Sequence, residues 1–76
     1  MQKETVTINT DYIKLDQLLK FSALAESGSM AKDMILDGIV DVNGMPCTMR
    51  GKKVRPGDVI LVHFEDELCE VTVMGE

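Results

Sequence analysis

The dipeptide Asn43-Gly44, at the end of the alternating run "IVDVNG", constrains this chain more than any other feature. Both central positions of a two-residue hairpin turn need positive φ, and Asn-Gly accepts that most readily. The run before it puts Val40 and Val42 inward and Asp41 outward, so a half-buried strand enters the turn and the chain folds back at once through "MPCT". A second reversal is written in "RPGD", where Pro56 at i+1 and Gly57 at i+2 form the residue pattern of a type II turn. The strand it launches, "DVILVHFE", is apolar on both faces and so reads as central. After an acidic turn at Asp66 and Glu67, "LCEVTVM" returns beside it, with Cys69, Val71 and Val73 on one face and Glu70 and Thr72 on the other.

Upstream of the hairpin the period changes twice. "ETVTIN" alternates strictly, with Val6 and Ile8 on one side. From Leu15 the apolar positions fall at helical spacing, Leu15, Leu18 and Leu19, and Asp16 with Lys20 makes an acid-then-base i,i+4 pair. This helix is expected to end near residues 23 to 25. A second helix is expected over residues 29 to 37, with Ser27 as its N-cap, Ala31, Met34 and Ile35 on its inner face and Gly38 just past its end. The whole reads β-α-α-β-β-β-β, an α+β fold in which two short helices pack on one face of a small, mostly antiparallel sheet. At 76 residues this is one domain, residues 1 to 76, with no repeat or linker.

The stretch "MRGKKVRPGD" places Arg50, Lys52, Lys53 and Arg55 within six positions of a chain whose net charge is −5. Charge is divided along the sequence: residues 14 to 57 carry +2, and residues 58 to 76 carry −6 with no lysine or arginine. Such asymmetry turns one face toward a polyanion and the other away from it. Lysine and arginine grip phosphates by releasing condensed counterions, without reading sequence. The only aromatic residues are Tyr12, Phe21 and Phe64, and both phenylalanines fall in apolar runs where core packing is expected. Base stacking is therefore a poor fit, and recognition of structured RNA through phosphates and 2′-hydroxyls a better one.

Other chemistries find little material. A buried substrate chamber is disfavoured at this length. His63 is the sole histidine and lies on the central strand, with no cysteine at ligand spacing, so neither a metal nor another cofactor is expected. The serines have one distant candidate base, so the chain is not expected to be an enzyme. Cys47 and Cys69, 22 positions apart, are read as reduced, half-buried strand residues in a cytoplasmic protein. Among the six methionines, Met30 and Met34 on the second helix are expected to fill the core. "MQKETVTINT" lacks the apolar centre of an export signal, and no 18-residue apolar run exists to span a bilayer.

The order of these signals resembles the S-four RNA-binding domain, named for the fourth protein of the small ribosomal subunit, and within it the small stand-alone bacterial YaaA and YbcJ-like proteins. The likeness covers residues 13 to 60 as a motif core, with a strand added at each end. It is carried by Lys14-Leu15-Asp16, the pair Leu18 and Leu19, Ser27, Ser29, Ala31 and Lys32, then Gly38, Val40, Val42, Asn43 and Gly44, and finally Val54, Pro56, Gly57 and Asp58. The family commonly has Arg between the two serines and a second base after Lys32; here Gly28 and Asp33 stand there.

The resemblance implies an alpha-L RNA-binding motif and a non-catalytic module for structured, ribosomal RNA, with Lys14, Ser29 and Lys32 at positions of its motif; Lys20, Arg50, Lys52 and Lys53 join them on grounds of charge as the expected RNA-binding residues. Two rival readings remain open. One is a protein-interaction module that uses the acidic segment at residues 65 to 70 and has lost RNA binding. The other is a ubiquitin-like β-grasp sulfur carrier, whose reactive Gly-Gly terminus does not appear in "VTVMGE".

Overall fold

Secondary structure changes where the hydrophobic period changes. The computed structural model describes all 76 residues. In chain order these form β1 (Gln2–Ile8), β2 (Ile13–Lys14), α1 (Leu15–Phe21), α2 (Gly28–Leu36), β3 (Val40–Val42), β4 (Met45–Pro46), β5 (Lys53–Val54), β6 (Val59–His63) and β7 (Leu68–Gly75). Five strands make one sheet in the order β1-β7-β6-β3-β4, and β2 pairs with β5 in a separate two-stranded ribbon. The main sheet is mixed, because β1 runs parallel to β7 while its other neighbouring pairs are antiparallel. The fold is thus α+β with two helices, as the periodicity indicates. The two-residue strands β2 and β5 are additions, too short to leave an alternating pattern.

The alternation decides which side chains meet. Val40, Val42, Ile60, Val62, Cys69, Val71 and Val73 from the sheet and Leu15, Leu18, Leu19, Ala31, Met34 and Ile35 from the helices are all buried, and no polar residue is buried with them. β6 is the central partner of β3 and β7, which explains its apolar residues on both faces.

Four expectations need correction. Phe21 is 65% exposed and Met30 39% exposed. At 100° per residue both lie roughly 90 to 110° around their helices from the centre of the buried stripe, so neither reaches the core. The Met30 sulfur instead accepts the Glu26 amide at 3.5 Å. Cys69 is a buried strand residue, but Cys47 lies in the loop after β4. α1 also stops at Phe21, earlier than its spacing suggests. Ala23 takes a left-handed φ of 63°, and the Ala25 amide folds back to the Leu19 carbonyl at 3.1 Å. That reversal sinks Ala25 into the core.

Both turns form as their residues dictate. Asn43 and Gly44 have φ of 51° and 85°, the type I′ signature, with Val42 paired to Met45. Gly57 has φ of 98°, and the Asp58 amide reaches the Arg55 carbonyl at 2.9 Å, closing a type II turn. The two turns are tied together. Asn43 accepts the Val59 amide through Oδ1 at 2.9 Å and donates from Nδ2 to Asp58 Oδ1 at 3.1 Å. Asp58 Oδ2 accepts the Arg55 amide at 2.9 Å. Hydrogen bonds to a carboxylate are worth more than neutral ones, so Asp58→Ala is expected to cost about 2 kcal/mol in a chemical denaturation experiment, and Asp58→Asn, which keeps one acceptor oxygen, less.

Candidate nucleic-acid interface

α1 begins without a capping side chain. Its N-cap position is Lys14, an extended residue that makes no side-chain cap hydrogen bond. The first amides of a helix need acceptors from somewhere. Here the basic segment supplies them: the Lys52 carbonyl accepts from Leu15 N at 2.9 Å and the Arg50 carbonyl from Asp16 N at 3.3 Å. Asp16 Oδ1 takes the Gln17 amide at 2.8 Å. The segment is held by its main chain, so its charged side chains are not spent on anchoring it.

The β2–β5 ribbon then fixes a second relation. Ile13 faces Val54, and Lys14 lies directly opposite Lys53. Like charges opposed across an antiparallel pair repel and cost stability. Lys53 is partly compensated by Tyr12, whose ring centroid is 4.8 Å from Nζ. No lysine or arginine has a carboxylate within ion-pair distance; the only acid–base side-chain contact of that kind is His63 Nε2 to Asp41 Oδ2, 2.7 Å. The expected Asp16–Lys20 pair is therefore not formed, the Asp16 carboxylate having turned to a helix-terminal amide.

Four of the residues read from the sequence, Lys14, Arg50, Lys52 and Lys53, meet at the start of α1, and all four are exposed. Lys20 stands in the last turn of α1, about 9 Å along the axis from Lys14. Ser29 is exposed near the start of α2, and Lys32 is half-buried further along it. No hydrogen bond or ion pair ties these three to the cluster. Arg55 joins the cluster instead. It lines an open cleft of about 540 Å³ with Lys52, Lys53, Met45, Cys47 and Met49. Its two-residue spacing from Lys53 along an extended segment is the signal that could have placed it there.

The acidic turn between β6 and β7 lies away from this cleft. The cleft's Asp58 precedes the start of β6, whereas Glu65, Asp66 and Glu67 follow its end. The five residues of β6 separate the two ends by about 13 Å, more than the ~10 Å over which salt screens exposed charges at 0.1 M. The acidic turn therefore does little to cancel the cluster. In the sheet, burial pushes the Cys69 thiol pKa upward and the Glu67 charge adds to it, the opposite of an activated nucleophile.

The sequence model of the S4 domain matches residues 6–72. The chain is 40% identical over 55 residues to the probable ribosome maturation protein RlbA of Bacillus subtilis (strain 168), an alignment spanning 72% of this chain and 78% of that protein. Its fold is similar to that of Heat Shock Protein 15 of Vibrio cholerae, with a TM-score of 0.74 and 22% identity over 84% of this chain. The match spans 64% of the Vibrio protein, so this chain corresponds to part of that molecule's length. The chain belongs to the S4 domain family. No helix is long and apolar enough to cross a membrane.

Proposed function

We propose that this S4-domain chain, acting as a single unit over residues 1 to 76, binds structured RNA without catalysing a reaction. Lys14, Arg50, Lys52 and Lys53 form the centre of contact, and Lys20, Ser29 and Lys32 extend it along the two helices. One observation carries the reading: an acidic chain holds Lys14 beside a main-chain-anchored segment bearing Arg50, Lys52 and Lys53, with Lys14 and Lys53 opposed across a ribbon and no carboxylate within ion-pair distance of any of the four. Phosphates would relieve that repulsion, and each contact would release counterion. The name of the Bacillus relative supports ribosomal RNA, or a ribosomal particle under assembly, as the target in the cytoplasm.

Lys14→Glu tests the reading because it moves two quantities in opposite directions. A Glu at residue 14 would face Lys53 as an opposite charge and sit at the positive end of α1, so the free protein should gain about 0.5 kcal/mol. Affinity for a folded RNA should fall roughly tenfold. Loss of stability together with unchanged affinity would count against the proposal. A second reading, a protein-interaction module using residues 65 to 70, draws on Gly28 and Asp33, which leave Lys32 as the only base of α2.

A further inference from the structure

The cleft beside the cation cluster is not purely basic. Met45 and Met49 are 71% and 61% exposed there, and Pro46, Cys47 and the edge of Val42 complete an apolar wall in the same cleft as Lys52, Lys53 and Arg55. Phosphate contact alone gives no reason to hold two bare thioethers beside three cations that lack an ion-pair partner. Asp58 also borders the cleft and keeps its negative charge there, its two oxygens accepting from Asn43 Nδ2 and the Arg55 amide, so the cleft holds three cations against one carboxylate. The wall is positioned by the type I′ turn, which fixes Met45 opposite Val42.

We infer that this cleft seats one unpaired nucleotide of the RNA, its base against Met45 and Met49 and its phosphates on Lys52, Lys53 and Arg55. The inference rests on the RNA-binding reading and adds a ligand class to it. The cleft is an open depression of about 540 Å³, a size that suits a single small-molecule-sized group. The cations select an anion, and the apolar wall selects a flat, desolvated surface joined to it. Thioether sulfur packs favourably against aromatic rings, so methionine supplies here what the scarce aromatic residues do not. Unpaired, splayed-out bases are also the parts of RNA that proteins reach most readily. This modifies the expectation drawn from aromatic content: binding need not read sequence, but it should distinguish an unpaired base from a paired one.

The experiment compares an RNA hairpin carrying a single-nucleotide bulge with the same hairpin fully paired, using the intact protein and its Met45→Ser/Met49→Ser variant. Both positions are exposed, so the variant should fold normally. The native protein should favour the bulged RNA by about tenfold, and the variant should lose that preference while keeping its affinity for the paired hairpin. In methyl NMR spectra the Met45 and Met49 resonances should move under the ring current of the docked base, while Met74, on β7, should not. Equal binding of both hairpins by the native protein would overturn the inference and leave RNA binding standing. Binding of neither would overturn both. Preference for an acidic, methionine- or leucine-containing peptide over either RNA would overturn it in favour of a protein partner.

Discussion

Replacing Lys52 and Lys53 by Glu should lower affinity for folded RNA by roughly a hundredfold near physiological salt, and should flatten the salt dependence by about two phosphate contacts. The fold should survive. Both side chains are exposed, and what Lys52 contributes to α1 is its carbonyl, which any residue provides. The Lys14–Lys53 repulsion would also become an attraction. Circular dichroism and thermal melting should therefore show a protein at least as stable as the native one. The same variant separates the rival reading. A protein partner docked on Glu65 to Glu70, at the far end of β6, should bind the variant as well as it binds the native chain.

Leu19→Ala should act on everything at once. Leu19 is fully buried in the stripe that α1 turns toward α2 and the sheet. Truncating such a leucine costs about 3 kcal/mol, against a total of roughly 4 to 11 kcal/mol for a chain of this size. Thermal unfolding should move down by roughly 15 °C. Because the cation cluster hangs on the first amides of α1, RNA binding should disappear along the same melting curve as the helix signal. A variant that melted early yet still bound RNA after losing its helices would show that the charges act without the fold.

The sequence was legible where a residue type has one physical use. Asn43-Gly44 and Pro56-Gly57 dictated their turns, and Leu15, Leu18 and Leu19 dictated a helical face. The Ser27 side chain accepts the Met30 amide at 3.2 Å, as an N-cap should. What stayed hidden depends on contacts between distant segments. The pairing of Lys14 with Lys53 joins positions far apart in the chain, through strands two residues long that have no periodicity to detect. The missing cap on α1 was visible as Lys14, but which acceptor would replace it was not. Arg55 belongs to the same basic run, yet the cleft it lines also takes residues from the other turn, to which the Asn43–Asp58 hydrogen bond ties it. Phe21 and Met30 misled because an apolar residue beside a helical stripe looks like part of it until the helix has a neighbour.

The central claim is that cations gathered at the start of α1 bind a polyanion by displacing its counterions. The most direct measurement is the affinity for a folded ribosomal RNA fragment across a series of salt concentrations. With about five phosphates engaged, the plot of log affinity against log salt should be linear with a slope between roughly −3 and −5. Affinity that does not change with salt, or no binding even at low salt, would contradict the account.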